Sequence, residues 1–324
     1  MAELHDHLQT QPSDTEQGAL VSILIPTHNR PDYLREAVDS ALAQTHRNLD
    51  IVISDNGSSE ASVEALRDVV ASDPRIRHIR CPERNHYLDN WLHALSHARG
   101  DYVNFLMDDD LFHPRKVERM LAVLQAYPDV ALVTSQRTLI NARGAELPHL
   151  PETTPLFGDD ALVRGRDLGD RVVMSGANVI GEPTTAMVRR AELGSSFGFF
   201  CGRQYMVLSD VATWLSLMAG RRVAVLREPL SKFRLHGGQD QRRSLQVLQA
   251  NVEWLQLLLD ANAAGLYLTN ETDFQRVLKA QIDSLVPLLT GSAQAVREGA
   301  CHAEPIQRVL RQGFDRLFHS EPAP

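Results

Sequence analysis

Short apolar runs alternate with amphipathic stretches from Leu20 to about residue 134. The apolar runs are bounded by polar and turn-forming residues, a pattern that predicts buried strands. The stretches between them carry apolar residues at three- and four-residue steps, which predicts helices. Strands alternating with helices favour an α/β fold, in which a mainly parallel sheet is covered by helices on both faces. The predicted strands are 20–26, 51–53, 76–80, 102–107 and 130–134, and the predicted helices are 31–45, 61–70, 88–98 and 114–126.

The regular alternation ends in the second half of the chain. Residues 141–180 contain several prolines and glycines, which predicts an irregular excursion or flap. Short strands are predicted over 183–189 and 223–226. After Gly237 and Gly238 the apolar spacing becomes helical again, and helices are predicted over 246–259, 274–289 and 306–318.

These patterns divide the chain into three parts. Residues 1–19 are polar and predict a disordered tail, residues 20–241 form the α/β domain, and residues 242–324 form a helical appendage. Three roles are open to the appendage: packing on the α/β domain, forming a homodimer, or binding an acceptor substrate.

Composition narrows the class of protein. The net charge of the 324 residues is -8, so the basic surface that binds phosphate backbones is missing and a nucleic-acid partner is excluded. The cysteines Cys81, Cys201 and Cys301 are far apart, which argues against a structural zinc site and favours reduced thiols in the cytoplasm. The N-terminus lacks the apolar core of a signal peptide. No apolar run approaches the roughly 20 residues of a membrane span, although transient contact with a membrane-bound acceptor remains open.

Three of the predicted strands end in polar residues. They are followed by Thr27-His28-Asn29, by Asp55-Asn56 and by Asp108-Asp109-Asp110. Ligands of parallel α/β sheets bind outside the carboxyl ends of the strands. We therefore expect these three groups to converge on one ligand-binding crevice.

The run Asp108-Asp109-Asp110 is the strongest candidate site. Adjacent carboxylates at a strand end repel one another unless a cation or a basic group neutralises them. Hard oxygen ligands suit Mg²⁺ or Mn²⁺, which in proteins commonly bridge to substrate phosphates. The alternative is a solvated acidic turn, and the position after an apolar strand argues against it.

Three further residues have both a functional and a structural interpretation. Asp55 can accept hydrogen bonds from a nucleobase or a ribose, or it can simply stabilise a turn. Asp210 precedes an apolar helix, where a carboxylate can cap the helix or act as a general base. His236 follows a predicted strand and precedes two glycines. A histidine at this position can contact a metal or a phosphate, or it can be a surface residue without a functional role.

Five motifs follow one another between residues 20 and 240. They are VSILIPTHNR (21–30), IVISDNGS (51–58), GDYVNFL before the three aspartates (100–106), Ser209-Asp210 with Trp214-Leu215, and FRLH (233–236). Each motif is weak by itself. In this order they resemble the motifs of family 2 glycosyltransferases with the GT-A fold, a Rossmann-like nucleotide-diphospho-sugar transferase fold with helices on both faces of the sheet.

The resemblance implies roles for individual residues. Asp210 is the catalytic base, and Asp109 is the main metal ligand. Asp110 and His236 are the further candidates for the Mn²⁺ or Mg²⁺ site. The alternative role for His236 is a contact with the diphosphate. The residues implied to bind the nucleotide-sugar are Pro26, Thr27, Asn29, Asp55, Asp108 and Arg234.

The chain departs from the family pattern at several positions. When the chain is aligned on Pro114, the first aspartate of the family's DxD motif falls at Met107, which leaves Asp108 and Asp109 as the usable pair. Asn56 replaces a second aspartate, and Ser209 replaces the glutamate that usually precedes the base. Tyr87 stands where the family often has a glycine. These departures bear on the sugar preference more than on the class of reaction.

The resemblance implies an inverting, metal-assisted transfer of a sugar, most commonly from a UDP-sugar, to an acceptor hydroxyl. The acceptor can be a glycan, a lipid-linked saccharide, a natural product or a protein. A nucleotidyltransferase would carry a Gly-rich loop after the first strand, whereas this chain has Pro26-Thr27-His28-Asn29-Arg30. A non-catalytic sugar-nucleotide-binding protein of the same fold would be expected to have lost the acidic run or Asp210, and both are present.

Overall fold

A computed structural model describes residues 6–7, 18–81, 84–237, 244–292, 294 and 303–318. The contacts divide the chain into two units. The first contains residues 1–165, 178–197 and 220–236, and the second contains residues 166–177, 198–219 and 237–324. None of the helices within the described ranges is long and apolar enough to cross a membrane.

The first unit is built on one sheet. Its strands are β1 (Asp6–His7), β2 (Val21–Thr27), β3 (Leu49–Asp55), β4 (Ile76–Arg80), β5 (Tyr102–Phe105), β6 (Leu111–Phe112), β7 (Val130–Asn141), β8 (Glu146–Leu147), β9 (Ala161–Arg164), β10 (Met187–Arg189) and, numbered last in chain order, β13 (Arg222–Leu235). Its helices are α1 (Pro31–Leu42), α2 (Glu60–Glu64), α3 (Arg67–Ser72), α4 (Tyr87–Ser96), α5 (Lys116–Ala126) and α7 (Arg190–Leu193).

The strand order across the sheet is β1-β9-β13-β7-β10-β5-β2-β3-β4. The β2 strand runs parallel to β3 and β5, β3 runs parallel to β4, and β7 runs parallel to β13. The β10 strand lies antiparallel between β5 and β7. The β2 and β3 strands are buried along their whole length, as expected for strands covered on both faces. The predicted α/β architecture is confirmed.

The second unit is mainly helical. It contains α6 (Gly165–Ser175, of which Gly165 belongs to the first unit), the short hairpin of β11 (Phe199–Phe200) and β12 (Arg203–Gln204), α8 (Ser209–Met218), α9 (Ser244–Ala263), α10 (Glu271–Gly291) and α11 (Ala303–Phe318). Its core includes the buried stripe of α10 that the sequence predicted, among them Phe274, Leu278 and Leu285. Tyr267 packs directly beside Gly169 of α6 and donates a hydrogen bond to the carbonyl of Leu215 in α8 (2.7 Å).

Several sequence-based boundaries differ from the structure. The predicted excursion over 141–180 contains β8, β9 and α6. The predicted strand over 183–189 is a 3₁₀ turn followed by the short β10. Residues 6–7 of the predicted disordered tail form β1, which pairs with β9, and the predictions for 1–5 and 8–17 lie outside the described residues. The second unit also takes in residues 166–177 and 198–219, because their partners lie in the helical region, far away in the chain.

Candidate active site

The acidic run occupies a tight turn directly after β5. Leu106 N–H donates to the carbonyl of Leu24 (2.8 Å), which prolongs the pairing of β5 with β2. Asp110 N–H then donates to the carbonyl of Met107 (3.0 Å) and closes the turn. All three carboxylates are at least nine-tenths buried. Because water cannot solvate them, other protein groups must stabilise their charges.

The loop after β2 supplies the first of these groups. Thr27 Oγ1 donates to Asp108 Oδ2 (2.8 Å). Arg30 Nη1 lies 3.0 Å from Asp108 Oδ1 and 3.0 Å from Asp109 Oδ2, so one guanidinium bridges two carboxylates. The sequence assigned no role to Arg30. Its position three residues after Thr27 in the same loop is the signal that could have indicated one.

The end of β13 supplies the second group. His236 Nε2 lies 3.0 Å from Asp109 Oδ2. The backbone N–H of Arg234 donates to Asp110 Oδ1 (3.0 Å), and its Nε donates to the carbonyl of Asp109 (2.7 Å). The convergence of the FRLH segment on the acidic run therefore depends on β13 continuing to Leu235, well past the predicted end at 226.

Asp110 differs from its neighbours in being completely buried. Its Oδ2 accepts a hydrogen bond from Thr184 Oγ1 (2.5 Å), and its Oδ1 accepts from Arg234 N–H. Burial, followed by the charge of Asp109, raises the pKa of Asp110 well above its ordinary value. The carboxylate thus joins the acidic turn to the segment before β10. The role of Asp110 as a metal ligand stays a prediction.

Asp108 also has a perturbed acidity. Burial, with a further contribution from the charge of Asp109, raises its pKa to about 6. Arg30 and Thr27 oppose this shift by stabilising the ionised form. Asp108 therefore loses its proton at a higher pH than an ordinary aspartate, and a nearby cation would favour its ionised form.

Asp55 ends β3 beside a small cavity. Its Oδ1 accepts the backbone N–H of Ser58 (2.8 Å), which is the predicted turn contact. Its Oδ2 is buried and has no hydrogen-bond partner within the described part of the chain, with His78 Nε2 at 3.7 Å and Arg80 Nε at 3.8 Å. Burial acts to raise the pKa of Asp55, but the nearby imidazole of His78 and the hydrogen bond from Ser58 outweigh it, and the pKa lies below its ordinary value. The carboxylate can accept a further N–H or O–H from a ligand.

The same cavity contains the first strand end. Thr27 and Arg30 line it together with Asp55 and with apolar residues of α1 and the α2–α3 region. Asn29 has a φ of 53°, a left-handed conformation that asparagine tolerates. Its Oδ1 accepts the N–H of Ser59 (2.8 Å) and its N–H donates to Ser58 Oγ (2.9 Å), so it joins the β2 loop to the β3 loop. Pro26 is buried and is the second-last residue of β2, directly before this junction.

The site can be compared with what a divalent cation requires. Asp109 Oδ2 and His236 Nε2 lie together on one side of the acidic turn, and the guanidinium of Arg30 already places positive charge against Asp108 and Asp109. Within the described ranges no group of three His, Cys, Asp or Glu side chains forms a complete metal site. A carboxylate, an imidazole and the diphosphate oxygens of a substrate are together a suitable ligand set for Mn²⁺ or Mg²⁺.

Asp210 lies in the second unit, in the first turn of α8. Its Oδ1 accepts the N–H of Val211 (2.7 Å). Just upstream, the carboxylate of Glu253 in α9 accepts the backbone N–H groups of Met206 (3.2 Å), Val207 (2.9 Å) and Leu208 (2.8 Å). A single partly buried carboxylate therefore fixes the segment that leads into Asp210. Sequence reasoning missed Glu253, which carries no motif.

A mostly parallel sheet with buried carboxylates at the end of β5 and a polar cavity at the ends of β2 and β3 is the arrangement expected of a GT-A type glycosyltransferase domain, and the comparisons with known proteins agree. Among relatives, the putative glycosyltransferase EpsE of Bacillus subtilis is 26% identical over 233 residues, which cover 70% of this chain and 77% of EpsE. Protein CgeD of Bacillus subtilis is 32% identical over 141 residues, 41% of this chain. This chain spans only 33% of the length of CgeD.

Two solved structures share the fold. Staphylococcus aureus TarS 1–349 in complex with UDP-GlcNAc has a TM-score of 0.55 at 12% identity, covering 93% of this chain and 89% of that one. Mannosyltransferase PcManGT from Pyrobaculum calidifontis, in complex with GDP-Man and Mn²⁺, has a TM-score of 0.54 at 15% identity, covering 98% and 92%. Residues 22–191 match glycosyl transferase family 2. The chain belongs to that family, as its motif order predicted.

Proposed function

We propose that this protein transfers a sugar from a nucleotide-diphospho-sugar to an acceptor hydroxyl, with a divalent cation and with inversion at the anomeric carbon. The observation that carries the proposal is the placement of Asp108 and Asp109 against the loop of Thr27 and Arg30, beside the cavity that contains Asp55. This arrangement supports a nucleobase contact at Asp55 and a cation contact at Asp109, at the same edge of one sheet.

The residues divide the donor between them. Oδ2 of Asp55, which makes no hydrogen bond to the described residues, accepts from the nucleobase or ribose, and Asp108 lies on the ribose side of the acidic turn. Asp109 and His236 would hold the cation, and Arg234 stabilises the acidic turn through the hydrogen bond from its Nε to the carbonyl of Asp109. Mn²⁺ or Mg²⁺ would neutralise the charge that develops on the leaving diphosphate. The presence of Mn²⁺ in the PcManGT complex supports a divalent cation.

Asp210 is assigned the proton transfer. As general base it takes the proton of the acceptor hydroxyl while the oxygen attacks the anomeric carbon from the face opposite the diphosphate. One displacement from the opposite face inverts the anomeric configuration. UDP is the proposed nucleotide, which the UDP-GlcNAc complex of TarS supports. Because PcManGT is in complex with GDP-Man, GDP is tested as the alternative nucleotide.

A thermal-shift panel tests the proposal. UDP, dTDP, GDP and CMP are added to the full-length protein, each with and without Mn²⁺. A ligand that binds only the native state raises the melting temperature, so one nucleotide diphosphate should do so in the presence of Mn²⁺. Asp109→Ala should lose the Mn²⁺-dependent part of the shift, and Asp283→Ala, which removes an exposed helical aspartate, should keep it. The absence of a shift with every nucleotide would contradict the proposal.

A further inference from the structure

The side chain of Asn90 in α4 is a buried amide to which neither the motifs nor the proposed reaction assigns a role. It is 3% exposed. Its Nδ2 donates to the backbone carbonyls of Ser54 (3.0 Å) and Thr27 (3.5 Å). Its Oδ1 accepts from Ser54 Oγ (2.7 Å) and from Cys81 Sγ (3.6 Å). The two donor and two acceptor positions of the amide are thus all occupied.

These partners lie at the carboxyl ends of three strands. Thr27 is the last residue of β2, Ser54 is the second-last residue of β3, and Cys81 directly follows β4. The three strands are neighbours in the sheet, in the order β2-β3-β4. A hydrogen bond left unmade in a buried network destabilises the protein, so the amide favours one spacing of the three strand ends.

His93, one helical turn later in α4, supports the same network. Its Nδ1 lies 2.8 Å from Ser54 Oγ and 3.4 Å from Cys81 Sγ. Because Ser54 Oγ donates its proton to Asn90, the network assigns the Nδ1 proton to His93, which donates it to Ser54. Two side chains of α4 therefore hold the end of β3.

Two of the three strand ends carry residues of the proposed donor site. Thr27 Oγ1 donates to Asp108 (2.8 Å), and Ser54 directly precedes Asp55. The backbone positions of Thr27 and Ser54 therefore determine where the Thr27 hydroxyl and the Asp55 carboxylate lie. Thr27 and Asp55 line the cavity at this edge, whereas Asn90 does not. Asn90 can thus act on a bound nucleotide only through other residues.

We propose that Asn90 is a positioning residue of the donor site, which sets the separation between Asp55 and the Thr27–Asp108 contact. The inference rests on the proposed function. A single bond joins the nucleobase to the ribose, so a nucleoside that contacts Asp55 and Asp108 needs the two carboxylates at a nearly fixed separation. A supporting residue that lets this separation vary weakens binding without touching the ligand.

Two variants of the full chain test the inference. Asn90→Leu keeps a similar volume and removes all four hydrogen bonds of the amide. Ser54→Ala is milder, because it removes only the hydroxyl that donates to Asn90 and leaves both carbonyls in place. It keeps the test decisive should the first variant fail to fold.

Gln44→Met is the matched control. Gln44 is also a completely buried amide with several hydrogen bonds. Its Nε2 donates to the carbonyl of His113 (3.0 Å), and its Oε1 accepts the N–H of Val117 in α5 (3.0 Å). It therefore ties the chain after α1 to α5 and not to the ends of β2, β3 and β4. Its replacement reproduces the loss of a buried amide away from the proposed nucleoside contacts.

Urea unfolding measures the stability of each variant. Calorimetry measures its dissociation constant for the nucleotide identified by the thermal-shift panel, with Mn²⁺ and at a temperature where the variant is folded. We expect Asn90→Leu and Gln44→Met both to be less stable than the wild type. Only Asn90→Leu should bind the nucleotide about tenfold or more weakly, and Ser54→Ala should bind it about threefold more weakly, the scale of one lost hydrogen bond.

The dependence on Mn²⁺ separates positioning of the nucleoside contacts from damage to the acidic turn. The hydrogen bonds of the Asn90 amide go to Thr27, Ser54 and Cys81. At saturating nucleotide, the Mn²⁺ concentration that gives half of the thermal shift should therefore be the same in Asn90→Leu as in the wild type. A rise in this concentration by the same factor as the fall in nucleotide affinity would overturn the inference.

Three further results would also overturn it. They are nucleotide binding by Asn90→Leu that equals that of the wild type, an equal loss of affinity in Gln44→Met, and unchanged affinity in Ser54→Ala where Asn90→Leu does not fold. Each can occur while the wild type binds its nucleotide, so each leaves the proposed function standing. A wild-type protein that binds none of the nucleotides contradicts the proposed function, and the inference then falls with it.

Discussion

His236 Nε2 lies 3.0 Å from Asp109 Oδ2, although 127 positions separate the two residues in the chain. One contact therefore links the end of β13 to the turn after β5. If His236 is a cation ligand, His236→Ala should weaken nucleotide binding about tenfold or more in Mn²⁺, in line with the loss of a group that supports a metal site. In EDTA, the affinity should be unchanged. Calorimetric titration in both buffers measures the difference.

The control for His236→Ala is His97→Ala, at an exposed position after α4. It should bind nucleotide as the wild type does in both buffers. An equal loss of affinity with Mn²⁺ and with EDTA would show that His236 contacts the diphosphate itself.

Asp210→Asn should abolish transfer while leaving nucleotide affinity nearly intact. A general base contributes roughly 10²- to 10⁴-fold to the rate, and an amide cannot accept the proton. Initial rates of product formation, together with nucleotide dissociation constants, provide the measurement. Asp273→Asn is the matched control, because Asp273 is also in the first turn of a helix in the second unit and faces solvent. Turnover that survives in Asp210→Asn would remove Asp210 from the role of base.

The raised pKa of Asp108 predicts a pH-dependent stability. In the folded protein the pKa is about 6, whereas an unperturbed aspartate titrates near 3.9. The folded state thus binds the proton more tightly, and the associated stability is present below the unfolded pKa and lost as the pH rises through 6. Asp108→Asn removes this loss, so its free energy of unfolding should exceed that of the wild type by on the order of 2 kcal/mol at pH 8.

Urea unfolding of both proteins at pH 5 and pH 8 checks this expectation. The advantage of Asp108→Asn should shrink at pH 5, where the wild-type carboxyl is mostly protonated. An advantage that is equal at both pH values, or that is larger at pH 5, would contradict a raised pKa. The variant should bind nucleotide less well under either condition, because stability and function conflict at this position.

Much of this site follows from local sequence. The strand over 76–80 was predicted with both its ends correct, and β2 and β3 within two residues. The convergence of Thr27 on Asp108 was expected from the rule that parallel strands present their carboxyl ends at one edge. These features depend on short apolar runs and on the residues directly after them, which the sequence displays without knowledge of distant partners.

The features that were not predicted depend on distant partners. The β7 strand was expected to end at 134, because Ser135, Gln136 and Arg137 are polar, yet they are buried and paired with β13. Thr184 meets Asp110 across 74 positions, and Glu36 meets Arg234 across 198. No periodicity encodes such pairs, since each residue is ordinary in its own segment. Glu253 is of the same kind, as its partners lie 45 to 47 positions away.

Arg234 predicts an asymmetric response to mutation. It is 1% exposed, its guanidinium lies 4.6 Å from the centre of the Tyr33 ring, and its Nη2 donates to Glu36 Oε2 (2.6 Å). Arg234→Ala should cost about 3 kcal/mol or more of unfolding free energy, because it removes a buried guanidinium together with its hydrogen bond to the carbonyl of Asp109 and opens a void. Glu36→Gln should cost less than about 1 kcal/mol, since the Glu36 side chain is half exposed. Urea unfolding measures both free energies, and equal losses would contradict the greater contribution of the buried Arg234 to stability.

Glu253 predicts a separation between catalysis and donor binding. Its carboxylate accepts three consecutive backbone N–H groups at the entrance to α8, which carries Asp210. Glu253→Gln replaces one accepting oxygen by an N–H₂ group that faces these donors, so about 1–3 kcal/mol of stability should be lost and the start of α8 should shift. We expect a lower transfer rate at unchanged nucleotide affinity, as for Asp210→Asn but smaller in size.

The control is Gln249→Ala. It removes only the side chain that donates to Glu253 Oε1 from one helical turn earlier, and it should leave the transfer rate nearly unchanged. A fall in nucleotide affinity equal to the fall in rate would instead show that Glu253 acts through the fold as a whole.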